Sequence, residues 1–397
     1  MRPVTVAACT IAWLALAALL WKTTAPELEL GGLDERDYFS SRMLERSSGY
    51  ADGLRLLWLL ATAATVVTLV VLVRVLPRSV RGMGIGRVGS AVIAGMVVLT
   101  TLWLVTLPFG VAALWWQYHW GLGPFDVGAW LSAQWATLLA DAGFALMAIA
   151  VIVGLAARFR RRWWIPGAGV FIALAVGLVF VSGWLATSGA TRLDDAELRA
   201  EVRRLEQAQG VNVPVRELEV SDWTDQANAF AAGFGPSTNV VLWDTLLDGR
   251  FSPGEVHVVV SHELAHVQHR HIPKGIAWYG LFALPVFFLI AEVTRRRGGM
   301  RDPANVPLAV LVVVVTGLSL APFENAVSRR YEAEADWRAL TTTGDPAATK
   351  RLFRGFQRTS LSEPNPPLLD YVWLETHPTV MQRIAMAEAY AEREGSP

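Results

Sequence analysis

The sequence predicts an α-helical multi-pass membrane protein of about seven transmembrane helices that also carries an α+β domain. Hydrophobic residues make up 53 % of the 397-residue chain and charged residues only 18 %, against about 25 % charged in soluble domains. Seven stretches are almost free of charge, and the remaining charges gather into three polar parts.

The apolar stretches are Pro3–Trp21, Leu56–Val73, Val88–Tyr118, Trp130–Ala157, Trp163–Thr191, Ile276–Ala291 and Val306–Phe323. Crossing the hydrocarbon core takes about 17–25 apolar residues. The first five and the seventh reach that length. The sixth reaches it when Gly275 and Glu292–Thr294 lie near its ends. Core helices of soluble proteins average about 11–12 residues, so so many long runs exclude that alternative. Arg2 precedes the first run as in a signal peptide, yet the run is long and Trp21-Lys22 follow it, which favours an uncleaved anchor. Trp115, Trp116, Trp120, Trp163 and Trp164 cluster at segment ends, as interfacial belts do.

The polar parts are Lys22–Arg55, Arg192–Lys274 and Glu324–Pro397. The expected organisation is therefore five helices with loops in 1–187 and a polar subdomain in 188–274. Two further helices follow in 275–323, and C-terminal helices in 324–397. Lys+Arg and Asp+Glu are both 35, so net charge makes no case for nucleic-acid binding. A single Cys excludes a disulfide framework and any multi-Cys zinc cluster.

Within the middle part, Leu198, Val202 and Leu205 give Asp194–Gln209 a helical period. Val211–Val220 alternates as a strand does. Asn228–Phe234 and Asn239–Trp243 flank Gly235-Pro236-Ser237 and read as a hairpin. Ser252-Pro253-Gly254-Glu255 then opens a helix: Ser caps, Pro suits the first helical position, and Glu255 completes a capping box.

That helix carries Ser261-His262-Glu263-Leu264-Ala265-His266, an H-E-x-x-H pattern. Residues four apart share a helix face, so both imidazoles can reach one Zn²⁺. Glu263, offset by one residue, can take a proton from a water there. Chance gives such a match on the order of 0.01 times in a chain of this length. A zinc peptidase wants a third protein ligand and one open position. The candidates are His269, His271, Glu324, Glu332 and Glu334, with His269 and His271 reading as solvated interfacial histidines.

The run Asn325 to Asp336 has the form N-x-x-S-R-x-x-E-x-x-A-D. Following H-E-x-x-H and two apolar segments, it resembles the integral-membrane zinc peptidases, which include the type I CAAX prenyl proteases and the HtpX-type proteases. The resemblance implies a gluzincin-like domain with one zinc on His262, His266 and Glu332. It also implies Asp336 behind one of the histidines; the four-residue spacing puts Glu332 and Asp336 on one helix face, so Glu334 points elsewhere and reads as solvated. Asn228-Ala229 with Gly233 and Gly235 is similar to the family's N-A-x-x-x-G hairpin, which implies a substrate-holding strand edge. His377 in Thr376-His377-Pro378, with Arg383, is similar to its H-P…R element. There the His stabilises the tetrahedral intermediate and the Arg supports the site. Seven segments favour the prenyl-protease-like branch and its water-filled chamber, which Asp141 in the fourth segment fits.

The charges point the zinc-bearing parts outward. Arg74, Arg78, Arg81 and Arg87 follow segment two. Arg158, Arg160, Arg161 and Arg162 follow segment four, and Arg295, Arg296, Arg297 and Arg301 follow segment six. The loop 119–128 has no Lys or Arg. Short cytoplasmic loops carry the Lys/Arg excess, whereas the family's prenyl proteases keep their zinc domain cytoplasmic. The expected function is a zinc endopeptidase of the cell membrane acting on a peptide or membrane-associated protein, with no nucleic acid and with its oligomeric state open. Three lysines beside abundant arginine point to a GC-rich bacterial genome, where prenylated substrates are not expected. The alternatives are a non-catalytic scaffold with a decayed protease domain, or a metal transporter.

Overall fold

The computed structural model describes residues 3–28, 30–222 and 224–394; Arg2 lies outside them. The chain divides into two compact units. One comprises Met1–Ala51, Val176–Trp278 and Ala321–Pro397, the other Asp52–Ala175 and Tyr279–Leu320.

The helices before the sheet are α1 (Pro3–Trp21), α2 (Ser41–Arg81), α3 (Gly86–His119), α4 (Val127–Phe159) and α5 (Trp164–Leu185). The sheet region holds β1 (Thr191–Arg192), α6 (Ala196–Gln209), β2 (Val215–Leu218), β3 (Ala229–Ala232), β4 (Asn239–Trp243) and α7 (Asp244–Leu247). Then come α8 (Pro253–Gln268), α9 (His271–Arg295), α10 (Val306–Thr343), α11 (Pro346–Ser360), α12 (Leu368–Trp373) and α13 (Val380–Glu394).

Among the described residues, six helical stretches are long and apolar enough to cross a membrane. They are Ser41–Arg81, Gly86–His119, Asp141–Arg162, Trp164–Leu185, His271–Arg295 and Pro303–Thr343. The first apolar segment is helical as well, with the shorter apolar stretch Ala7–Trp21. Sequence limits drawn by charge were too narrow: α2 and α10 run to 41 and 38 residues because their polar ends stay helical. Asp141 lies exposed.

The apolar unit is built on small residues. Ala91, Ala94 and Ala168 are fully buried beside Leu69, Val98 and Val153. A Cβ at Gly95 on α3 would lie 2.8 Å from Ile149 of α4, so glycine there permits the close approach that membrane helices favour. The Arg-bearing loops also meet within this unit, Arg81 pairing with Asp302 at 3.0 Å.

The other unit holds a four-stranded sheet in the order β1-β2-β4-β3, with β2 and β4 parallel and the outer pairs antiparallel. Only Val215–Leu218 of the expected strand 211–220 pairs. The hairpin forms as read, Ala229 opposite Leu242 and Ala232 opposite Asn239. Gly233 turns it at φ 73°, and a Cβ there would strike Ser237 O at 2.4 Å. Asp195 caps α6 and Gly210 closes it at φ 67°. Leu205, Val240, Leu242, Val260, Leu264 and Leu352 make the core that seats α8 between the sheet, α6 and α11.

Candidate metal centre

The capping box opens α8 as the sequence predicts: the Ser252 N–H and hydroxyl donate to Glu255 Oε2 at 2.7 and 2.6 Å. Apolar residues on most sides of α8 then bury it. Gln209 fixes it further, donating to Ser261 O at 2.8 Å and Ser261 Oγ at 2.7 Å. His262, Glu263 and His266 are left on the face that meets α10.

There His262 Nε2 and His266 Nε2 stand 3.0 Å apart. Glu332 Oε2 lies 3.2 Å from His262 Nε2, and Oε1 lies 3.5 Å from His266 Nε2. Tetrahedral zinc with bonds of about 2.0–2.2 Å spaces its donors about 3.4 Å apart, so the three side chains fit that ion. Glu332 Oε2 is moreover buried with no aligned hydrogen-bond donor, which a cation would remedy. Burial alone lowers the His262 pKa, but hydrogen bonds and charge from Asp336 and Glu332 outweigh it and hold it at about 10. A cluster this electronegative selects a cation, whether proton or metal.

Asp336, one turn beyond Glu332, faces His262 Nδ1 at 2.9 Å. Arg383 grips Asp336 with both arms of its guanidinium, at 2.8 and 2.5 Å, and lies 4.0 Å over the Phe353 ring. His377 Nε2 reaches Glu332 Oε2 at 3.2 Å. About half of the His377 side chain, 52 %, stays open, yet desolvation by the packed recess lowers its pKa, aided by Arg383. In either tautomer or charge state its imidazole has an N–H to donate. A recess of about 90 Å³ is lined by His262, Glu263, His377, Asn228 and Ala229. Gly233 and Gly235 lie in the hairpin turn and line a different hollow beside His266.

Glu332 is thus the candidate brought to the histidines, and three expectations for its neighbours are corrected. Glu334 is not solvated but 1 % exposed, because Thr24 and His271 bind its carboxylate. His271 is likewise buried, at 6 %, and the His269 side chain is 16 % exposed.

Two residues of the Asn325–Asp336 run have an evident task. Asn325 donates to Val372 O at 3.2 Å, and Arg329 donates to Tyr371 O and Glu375 O at 2.6 Å. Together they hold the segment that leads to His377. Their partners lie more than forty residues on, so only a whole-motif resemblance could have singled them out.

Known proteins resemble this chain in sequence and in fold. The chain is 29 % identical over 306 residues to the uncharacterized metalloprotease YhfN of Bacillus subtilis, covering 72 % of this chain and 70 % of the relative. It is 29 % identical over 228 residues to a protease HtpX homolog of Ralstonia pickettii, covering 55 % and 77 %. Its fold resembles the crystal structure of S. mikatae Ste24p, with a TM-score of 0.75 at 15 % identity over 96 % of this chain and 97 % of that one. Residues 192–391, about half of the chain, match the model of Peptidase family M48. They enclose the three clustered donors and the sheet beside them, and with six apolar helices in the same chain the protein is a membrane zinc metalloendopeptidase belonging to Peptidase family M48.

Proposed function

We propose that His262, His266 and Glu332 hold the zinc, that Glu263 is the catalytic base, and that β3 receives the substrate. The convergence of three donor atoms, with His262 among them lining the recess that also holds Glu263, supports this most directly. A Zn²⁺ held by these three side chains would supply a Lewis acid for the scissile carbonyl and for an attacking water. Glu263, in the recess beside His262, is the carboxylate that would accept a proton there and hand it to a leaving amine. His377 donates to the developing oxyanion. Asp336 orients His262, and Arg383 positions Asp336. β3 ends the sheet order, so among the described residues no strand pairs with its outer edge. An extended peptide adds there by main-chain hydrogen bonds, with Asn228 and Ala229 nearest the recess. The substrate is a peptide or a membrane-associated protein. Metal analysis tests the ligand set: Glu332→Ala loses most bound zinc and His269→Ala keeps it. The reverse result would make His269, the residue that caps the end of α8, the third ligand.

The zinc-bearing parts face outward in this reading. Arg81 and Asp302 tie together the loops after segments two and six, and Arg160, Arg161, Arg295 and Arg301 line one hollow. The three Arg-rich loops therefore share one end of their unit, which the positive-inside preference assigns to the cytoplasm. Asp225 and Ala347 are exposed in the polar parts, and Ser79 is exposed in the first Arg-rich loop. With the exposed Cys9 replaced by Ser, Asp225→Cys and Ala347→Cys react with a membrane-impermeant thiol reagent in intact cells. Ser79→Cys does not. Labelling of Ser79→Cys alone would reverse the orientation.

A further inference from the structure

The two clustered histidines turn their outer nitrogens in different directions. His262 Nδ1 faces the Asp336–Arg383 pair. His266 Nδ1 instead meets His271 Nδ1 at 2.9 Å. His271 Nε2 in turn meets Glu334 Oε2 at 2.9 Å. The chain ends at Thr24, whose hydroxyl donates to Glu334 Oε1 at 2.7 Å and whose backbone N–H donates to the same oxygen. Thr24 belongs to the segment just after α1, so a residue more than 200 positions before His266 closes this chain of contacts.

We infer that His271 and Glu334 form a relay that fixes the tautomer and ring plane of His266, acting as positioning residues for the metal centre. The inference rests on the reading of His266 as a ligand. A ligating Nε2 must offer its lone pair, so the His266 proton sits on Nδ1. His271 Nδ1 then accepts, which puts the His271 proton on Nε2. That N–H needs an acceptor, and the Glu334 carboxylate is one. Each donor and acceptor in the series is set by the carboxylate at its far end. Such outer partners make a histidine ligand more basic and hold it still.

The surroundings leave His271 one position. Its ring stacks on Tyr331 at 4.7 Å with a 4° angle between planes. Tyr331 is pinned in turn, donating to Leu20 O at 2.7 Å and accepting from Trp278 Nε1 at 3.0 Å. Glu334 also has His269 Nδ1 at 3.5 Å and Lys274 Nζ at 3.6 Å. The Lys274 ammonium offsets part of the cost of burying a carboxylate. A second metal held by His269, His271 and Glu334 is the rival arrangement, but both ring nitrogens of His271 are already engaged.

The test is zinc affinity of the purified full-length protein in detergent, by chelator competition, with the absorption spectrum of the Co²⁺-loaded form as a second readout. His271→Leu and Glu334→Ala each weaken zinc binding about 10–100-fold and alter the Co²⁺ spectrum. The double variant is no weaker than the worse single one, because the two act in series. His271→Asn restores part of the affinity, since its amide oxygen can accept from His266 Nδ1. Thr24→Val, which removes only the last hydroxyl, weakens binding by less than either. Unchanged affinity and spectrum in His271→Leu would overturn the relay, as would additive losses or a second zinc equivalent lost with His271. His266→Ala serves as the control: if it keeps full zinc, the ligand reading fails rather than the relay.

Discussion

The two units bury different things. In the unit with the sheet, Glu255, His262, Glu263, His271, Glu332, Glu334, Asp336 and Asp370 are all less than 9 % exposed. In the other, the buried polar residues among those described are Ser90, Thr294 and Asn305, none of them charged. Thr294 turns its hydroxyl back on Ile290 O, and Asn305 closes a loop on Arg297 O and Gly299 O. The surfaces invert the comparison. Leu56, Leu59, Leu60, Val67, Val71 and Val75 of α2 are all exposed, an arrangement suited to lipid and costly in water. One unit concentrates buried charge in order to aim it. The other, among its described residues, buries no charge, keeps most of it at its ends apart from Asp141, and is solvated by hydrocarbon.

The comparison breaks first at Glu263. If its carboxylate does chemistry rather than packing, Glu263→Gln lowers peptidase turnover by about 10²–10⁴-fold while zinc content stays unchanged. Retained turnover in a peptide assay removes Glu263 from the mechanism. Next comes Arg383→Met. Methionine keeps contact with Phe353, but Asp336, 4 % exposed, loses the partner that offsets its charge. Breaking a buried pair costs about 3–5 kcal/mol, to be read as a lower denaturation midpoint, with weaker zinc binding. A thermal or denaturant curve that does not move would show that Asp336 does not depend on Arg383.

Both predictions fall on residues that the sequence already marked, Glu263 by local spacing and Arg383 by the resemblance of its H-P…R element to the family's. His262, Glu263 and His266 lie within one helical turn or so, and Glu332 and Asp336 on another. The uncharged runs announce the apolar helices for an equally local reason, since a span must be continuous. What the sequence concealed is long-range. Glu334 reads as a solvated carboxylate because its partners, His271 and Thr24, lie 63 and 310 residues away. His271 is read as interfacial because nothing nearby shows that Tyr331 will stack on it. The continuity of α10 from the apolar run into the Glu332 region was also hidden, because a composition change at Phe323-Glu324 looks like a boundary. The helix carries Pro322 in its interior and continues to Thr343.

The remaining predictions sharpen the comparison at the surface. Val67, near the middle of the uncharged run of α2, is 62 % exposed. A charge at the centre of a spanning helix costs about 2.5–3.5 kcal/mol, so Val67→Arg lowers the yield of membrane-inserted protein. Insertion equal to wild type would mean that this face of α2 meets water or protein.

The smallest effect comes from the same change on the other unit. Leu368, at the start of α12, is 77 % exposed and lies in the C-terminal polar part rather than in an apolar span. If that surface is solvated by water, arginine there replaces an exposed apolar side chain with one that water solvates better. Surface changes of this kind stay within about 0.5 kcal/mol, so Leu368→Arg leaves the denaturation midpoint and the inserted yield at their wild-type values. Leu368 and Val67 are exposed to a similar degree, and only the solvent assigned to each separates the two predictions. A loss of insertion or stability in Leu368→Arg that matches Val67→Arg would show that α12 is covered by lipid or a partner, and that exposed apolar surface is not confined to one unit's lipid-facing role.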